Sequence, residues 1–142
     1  MPATRAGRTR PVAGARILLV DNDSEATASF AALLGLEQAA VQIASSGEQA
    51  LDLLSKNPVD ALISDIQLPG IDGYELIGRV RATPLLAGMK AIAVTAFGRD
   101  EDKRAARHAG FDAHLNKPVD FPELLHTLDL LLGPDRHEEE SA

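Results

Sequence analysis

Four short apolar runs in this chain each lead to a polar residue that can do chemistry. Asp21 and Asn22 follow Ile17-Leu18-Leu19-Val20, Asp65 follows Leu62-Ile63-Ser64, Thr95 follows the run from Ala91 to Val94, and Lys117 follows His114-Leu115-Asn116. An aspartate alone in such a place is commonly a helix cap or a turn residue, and a lone lysine is commonly solvated. Recurrence at the same point of a repeating pattern argues for a shared site. Clustered carboxylates repel one another unless a cation lies between them. Oxygen donors without His or Cys suit Mg²⁺ (or Mn²⁺), whose shell is completed by water and phosphate oxygens. A carboxylate beside such an ion, flanked by the Thr95 hydroxyl and the Lys117 ammonium, is suited to in-line phosphoryl transfer onto the carboxylate oxygen. Lysine supplies a movable point charge for phosphate, and threonine a donor for its oxygens.

Such a site needs a scaffold that gathers strand ends. Apolar runs alternate five times with segments of helical period, which predicts strands at 16–20, 41–44, 59–64, 91–95 and 113–116. Helices are predicted near 24–36, 47–56, 72–82, 99–109 and 120–132. Asp23 or Ser24 can cap the first helix, Ser46 with Gln49 forms a capping box on the second, and Gly110 stops the fourth. Leu124, Leu125, Leu128 and Leu132 stripe the fifth. Strands alternating with helices imply an α/β fold, with a parallel sheet and helices on both faces. Runs 17–20, 61–63 and 91–94 are continuously apolar, whereas 41–43 and 113–115 alternate, so the second and fifth strands are the expected edges. The doubly wound (βα)5, flavodoxin-like order 2-1-3-4-5 satisfies this and puts its switch point between strands one and three, where ligands bind.

With 142 residues, 45% of them apolar, the chain suits one domain built mainly on Ala, Leu, Ile and Val. The expected division is a flexible basic arm or linker over 1–15, a folded domain over 16–132, and an acidic disordered tail over 133–142. A basic docking arm is the sharper alternative for the first segment. Residues 17–132 hold nine basic and seventeen acidic residues, which argues against a nucleic-acid surface. Cysteine is absent and no apolar run is long enough to span a bilayer, so no membrane partner and a cytoplasmic location are expected.

The stretches ILLVDND at 17–23, ISDIQLPGIDGYEL at 63–76, AVTAFG at 93–98 and HLNKPV at 114–119 together resemble the response-regulator receiver domain of two-component signalling. The resemblance covers about residues 15 to 132. It implies a bacterial phosphorelay protein in which Asp65 is the phosphoacceptor, Asp21 and Asn22 line the metal pocket, and Gln67 offers its backbone carbonyl to Mg²⁺. Thr95 would contact a phosphoryl oxygen and Lys117 neutralise its charge. A cis peptide between Lys117 and Pro118 is implied as well, a form that proline makes less costly. The implied donor is a histidine kinase or a phosphotransfer protein. Output would pass to a downstream protein partner through the face of the fourth helix, fifth strand and fifth helix. The chain would be a phosphoacceptor rather than a multiple-turnover enzyme, and a monomer or a phosphorylation-dependent dimer. Met1 favours a free-standing regulator over a fragment.

Two positions depart from the family pattern. A second acid usually follows the first strand and ligates the ion, and here Asn22 stands in its place. The lost charge is worth up to about 4 kcal/mol of bare Coulomb attraction at about 4 Å and an effective dielectric near 20, before desolvation offsets it. Weaker Mg²⁺ binding is therefore expected, with Asp23 as a substitute ligand unless it is spent as a cap. The usual aromatic of the fifth strand is His114, a ring able to follow Thr95 inward and to make the switch pH-sensitive. Its plainer reading is a surface histidine on an edge strand. Helix four has few large apolar residues and is expected to pack loosely. Asn22 also fits a pseudo-receiver that binds partners without being phosphorylated. Asp21-Asn22-Asp23 further resembles the Asp-x-Asp motif of haloacid-dehalogenase-like phosphatases, a reading that leaves Asp65 without a role.

Overall fold

A computed structural model describes residues 12–96 and 98–133. Five strands and five helices alternate along them: β1 (Arg16–Val20), α1 (Ser24–Leu36), β2 (Ala40–Ala44), α2 (Gly47–Lys56), β3 (Ala61–Asp65), α3 (Gly73–Ala82), β4 (Lys90–Thr95), α4 (Asp100–Ala109), β5 (Ala113–Asn116) and α5 (Phe121–Leu132). The strands form one parallel sheet in the order β2-β1-β3-β4-β5, as the alternation predicted. β3 is buried along its whole length, while β2 and β5 keep exposed positions at the edges.

Successive side chains on the central strands point to opposite faces, so the sheet carries two cores. Leu18, Val20, Leu62 and Ala93 pack with Leu54 of α2 and with Leu76, Ile77 and Val80 of α3. Ile17, Leu19, Ile63 and Ile92 pack on the other face with Leu34 of α1 and with Leu124, Leu128 and Leu132 of α5. Helices thus cover both faces and hold the strand ends in place.

Four helices are capped by a side chain that takes up a free backbone N–H: Asp23 on α1, Ser46 on α2, Asp72 on α3 and Asp120 on α5. The capping box on α2 is displaced by one residue, because Gln49 Oε1 accepts from the N–H and the hydroxyl of Ser45. Helix α4 begins at Arg99 with no side-chain cap and buries only Ala106, which matches its expected loose packing. Its far end is held better. Gly110 takes φ 130° there, and the Arg81 guanidinium donates to the carbonyls of Gly110, Ala87 and Met89 and to the Asp112 carboxylate.

The arm expected over 1–15 is shorter on its folded side. Val12 and Ala15 are fully buried in the α1–α5 core, Gly14 donates its N–H to the Gln38 carbonyl, and Ala15 accepts from Ala40. Apolar side chains with a place beside Leu34 do not stay in solvent, so 12–15 belong to the folded unit. Residues 1–11 and the expected acidic tail beyond Gly133 lie outside the described residues.

The two-faced packing separates neighbouring leucines of α5. Replacing the fully buried Leu128 by Ala is expected to cost about 2–5 kcal/mol, whereas Leu130→Ala, at a side chain 69% exposed, should change stability by no more than about 0.5 kcal/mol. Urea unfolding of both variants checks this, with the midpoint falling for the first and the slope unchanged.

Candidate functional site

The polar residues that close the strands meet at one end of the sheet, beside the switch point between β1 and β3. Asp65 is the last residue of β3, which ends one residue later than the 59–64 expected, and pairs with Val94 in register. Its carboxylate is only 7% exposed. Lys117 reaches it from the turn after β5, with Nζ 2.7 Å from Asp65 Oδ2 and 3.2 Å from Asp21 Oδ2. One ammonium therefore bridges the ends of β1 and β3. Its own backbone is tied in, since the Lys117 N–H donates to the Thr95 carbonyl at 2.9 Å, and the peptide to Pro118 is cis.

The second oxygen of each carboxylate is held by a local amide. Asp65 Oδ1 accepts from the Gln67 N–H at 3.0 Å, and Asp21 Oδ1 from the Asp23 N–H at 2.9 Å. Burial by itself would lower the Lys117 pKa, but the hydrogen bonds and charges of Asp65 and Asp21 outweigh it. The ammonium is held above its ordinary value and stays charged at neutral pH. Two carboxylates facing one ammonium leave a negative excess.

Thr95 ends β4 at 4% exposure, opposite Asn116 of β5. Asn22 is exposed beside Asp21. Asp23 is the α1 cap, with Oδ1 accepting from Glu25 and Ala26, so it is not available as the substitute ligand. That cap also removes the second acid a haloacid-dehalogenase-like reading needs, while Asp65 has the central place. Gln67 enters the cluster through its N–H.

His114 is not a surface histidine. It lies opposite Ala93 of β4, its two ring nitrogens are shut off from solvent, and neither has a hydrogen-bond partner. Burial lowers its pKa from the ordinary 6.5, the Lys103 charge lowers it further, and Asp102 pulls it partly back.

Two residues that support the site, Ser64 and Glu48, were not singled out in sequence. Ser64 is fully buried and donates its hydroxyl to the Asp65 carbonyl at 2.9 Å. Gly73 lets α3 start against the end of β3, since a Cβ there would fall 2.7 Å from the Asp65 carbonyl oxygen. The Asp72-Gly73 pair reads in sequence as turn residues that shape the loop after Asp65, but close backbone approach leaves no mark of its own. Glu48 Oε2 accepts from the Ile71 N–H at 3.3 Å and steadies the loop after Asp65 from α2.

Comparison with known proteins agrees with this geometry. The family model for the response regulator receiver domain matches residues 17–129. An uncharacterised 14.6 kDa protein of Leptolyngbya boryana is 43% identical over 122 residues, covering 84% of this chain and 93% of that one. The sensor histidine kinase RcsC of Escherichia coli is 34% identical over 125 residues, which are 88% of this chain but 13% of the kinase. The crystal structure of a CheY-like response regulator receiver domain protein from Methanospirillum hungatei superposes with a TM-score of 0.79 at 32% identity, covering 90% of this chain and 99% of that one. With its strand order, its sequence motifs and these matches in accord, the chain belongs to the response regulator receiver domain family.

Proposed function

We propose that Asp65 accepts a phosphoryl group from the phosphohistidine of a histidine kinase or phosphotransfer protein. The observation that carries this is the Lys117 ammonium 2.7 Å from a nearly buried Asp65 carboxylate, at the mouth of a sheet switch point. A carboxylate oxygen attacks phosphorus, the P–N bond of the donor breaks, and the donor histidine leaves with the bonding electron pair. Lys117 balances the charge that accumulates on the phosphoryl oxygens, and Thr95 offers a hydroxyl from the end of β4.

Among the described residues no three acidic or histidine side chains gather at one point. The donor set is Asp21, Asp65, the carboxamide of Asn22 and the Gln67 carbonyl. These are all hard oxygen donors, with one carboxylate charge unmatched by Lys117, which fits Mg²⁺ or Mn²⁺ held weakly. Such an ion would supply charge neutralisation for the entering phosphate.

The product is a signalling state rather than a turned-over substrate. Its output surface is α4, β5 and α5, toward a downstream protein or a second copy of the chain. Helix α4 has few buried contacts to lose, and His114 lies at its base on β5.

Incubation with acetyl phosphate and Mg²⁺, read by intact-protein mass spectrometry, should give one phosphoryl adduct that Asp65→Ala abolishes. No adduct at saturating Mg²⁺ would instead support a pseudo-receiver. Asn22→Asp restores a full charge at the ion and should tighten Mg²⁺ binding by about tenfold or more in a fluorescence or calorimetric titration.

For His114 the sign is set by its lowered pKa in the fold. The unfolded chain takes up a proton near 6.5 while the folded chain resists it, so stability is lost as pH falls below that value and levels off past the folded pKa. The charged groups bearing on the ring are Asp102 and Lys103 of α4. His114→Phe should flatten the decline in unfolding midpoint between about pH 7 and 5 relative to the parent chain.

A further inference from the structure

We propose that the chain also carries a binding site for a small apolar primary amine, in a cavity of about 490 Å³ that opens at the acid–lysine cluster and runs between α1 and the sheet. The volume lies within the roughly 300–1,000 Å³ of small-ligand sites. Its floor is Leu19, Ile63 and Val94 from three adjacent strands, its roof Ala26 and Phe30 of α1, and its side Leu124 of α5. Beside Phe30, α1 presents the short side chains of Ala26 and Thr27. Thr27 adds no free polar group, since its hydroxyl is bonded to the carbonyls of Asp23 and Ser24. Phe30 stacks on Phe121 with ring centroids 6.3 Å apart, which keeps α1 and α5 propped beside the opening.

The mouth sets the charge of what can enter. Asp21 and Asp65 line it against Lys117 alone, and that ammonium is already shared between the two carboxylates. An entering head group must therefore be a cation, and the body behind it must be apolar. A protonated primary amine on a short hydrocarbon meets both conditions, with its head at Asp21 and its chain along Leu19 and Ile63. Because Asp21 is also a proposed Mg²⁺ ligand, the amine and the ion would exclude each other. That competition rests on the proposed function, whereas the cavity and its charge do not.

The test is a calorimetric titration of the full chain, without Mg²⁺, using n-alkylammonium ions from ethyl to hexyl. Affinity should rise about three- to fourfold per added methylene. The matching n-alcohols should bind at least about tenfold more weakly. Ala26→Leu fills the cavity and should flatten the dependence on chain length, with thermal unfolding as the check that the variant folds. In the parent chain, hexylammonium should shift the methyl NMR signals of Leu19, Val119 and Leu124 and leave those of Leu76 and Val80, on the other face, in place. A flat series, alcohols equal to amines, or shifts centred on the other face would overturn the site. Added Mg²⁺ should weaken the apparent amine affinity. A rising series that Mg²⁺ leaves unmoved would support the cavity and count against Mg²⁺ at Asp21.

Discussion

The Lys117 ammonium, placed between Asp65 and Asp21, is the contact on which the rest of this structure depends. It joins residues brought from the ends of β1 and β3 to a turn after β5, so it forms only if all three strands end at the same level. Burying charge is costly, and it is tolerated here because each carboxylate keeps two partners, the ammonium on one oxygen and a backbone amide on the other. The raised Lys117 pKa expresses that balance: its partners favour the charged form more than burial opposes it. The fold can thus be read backwards from the site. The parallel order puts β1 beside β3, two-sided burial holds the strands in register, and Gly73 lets α3 begin without displacing the end of β3.

Stability is distributed unevenly around this point. The floor of the site is the most buried strand of the sheet, while α4 contributes one buried alanine and starts without a side-chain cap. The ion pairs of Arg99 with Glu101 and Asp102 are largely exposed, and such pairs hold little. At the other end of α4, Arg81 ties Gly110 and Asp112 to α3 and to the loop before β4. Helix α4 is thus tied at its C-terminal end and loosely held at its N-terminal end. His114 sits under this helix with two unsatisfied nitrogens, a cost that any rearrangement supplying a partner would relieve.

Much of the fold was legible in the sequence because period and burial coincide. Continuous apolar runs marked β1, β3 and β4 as central, alternation marked β2 and β5 as edges, and Asp23, Ser46 and Gly110 marked helix ends. The candidate site was legible for the same reason, as each of its residues lies at or just beyond the end of a strand-forming run. What escaped was set by tertiary packing. Val12 and Ala15 sit in a stretch of mixed Pro, Gly and Arg, and only the place available beside Leu34 draws them into the core. Ser64 reads as part of a strand, and its bond to the Asp65 carbonyl appears only once the backbone is drawn. His114 was ambiguous between surface and interior, because an edge strand is exposed on one side until a helix is laid across it. The Gln49 contact moved to Ser45 by a single residue, a shift no local pattern encodes.

Under the proposed function, the same charge accounting gives Asn22 a meaning beyond a weakened ion site. With a third acid, the pocket would hold two unmatched negative charges before any ligand arrives, and it would need a divalent cation simply to stop its carboxylates repelling. Asn22 leaves one charge unmatched by Lys117, which a shell of water can screen. Attraction for the cation falls, and so does repulsion toward an incoming phosphoryl group, itself close to doubly negative. The two effects oppose each other, so under the proposed function the substitution would lessen the site's dependence on the ion rather than simply impair it. It would also leave Asp21 less committed to a metal. A pocket whose acidic mouth is not permanently filled by a divalent ion is one in which another cation can compete, and the apolar cavity behind Asp21 decides which kind that is.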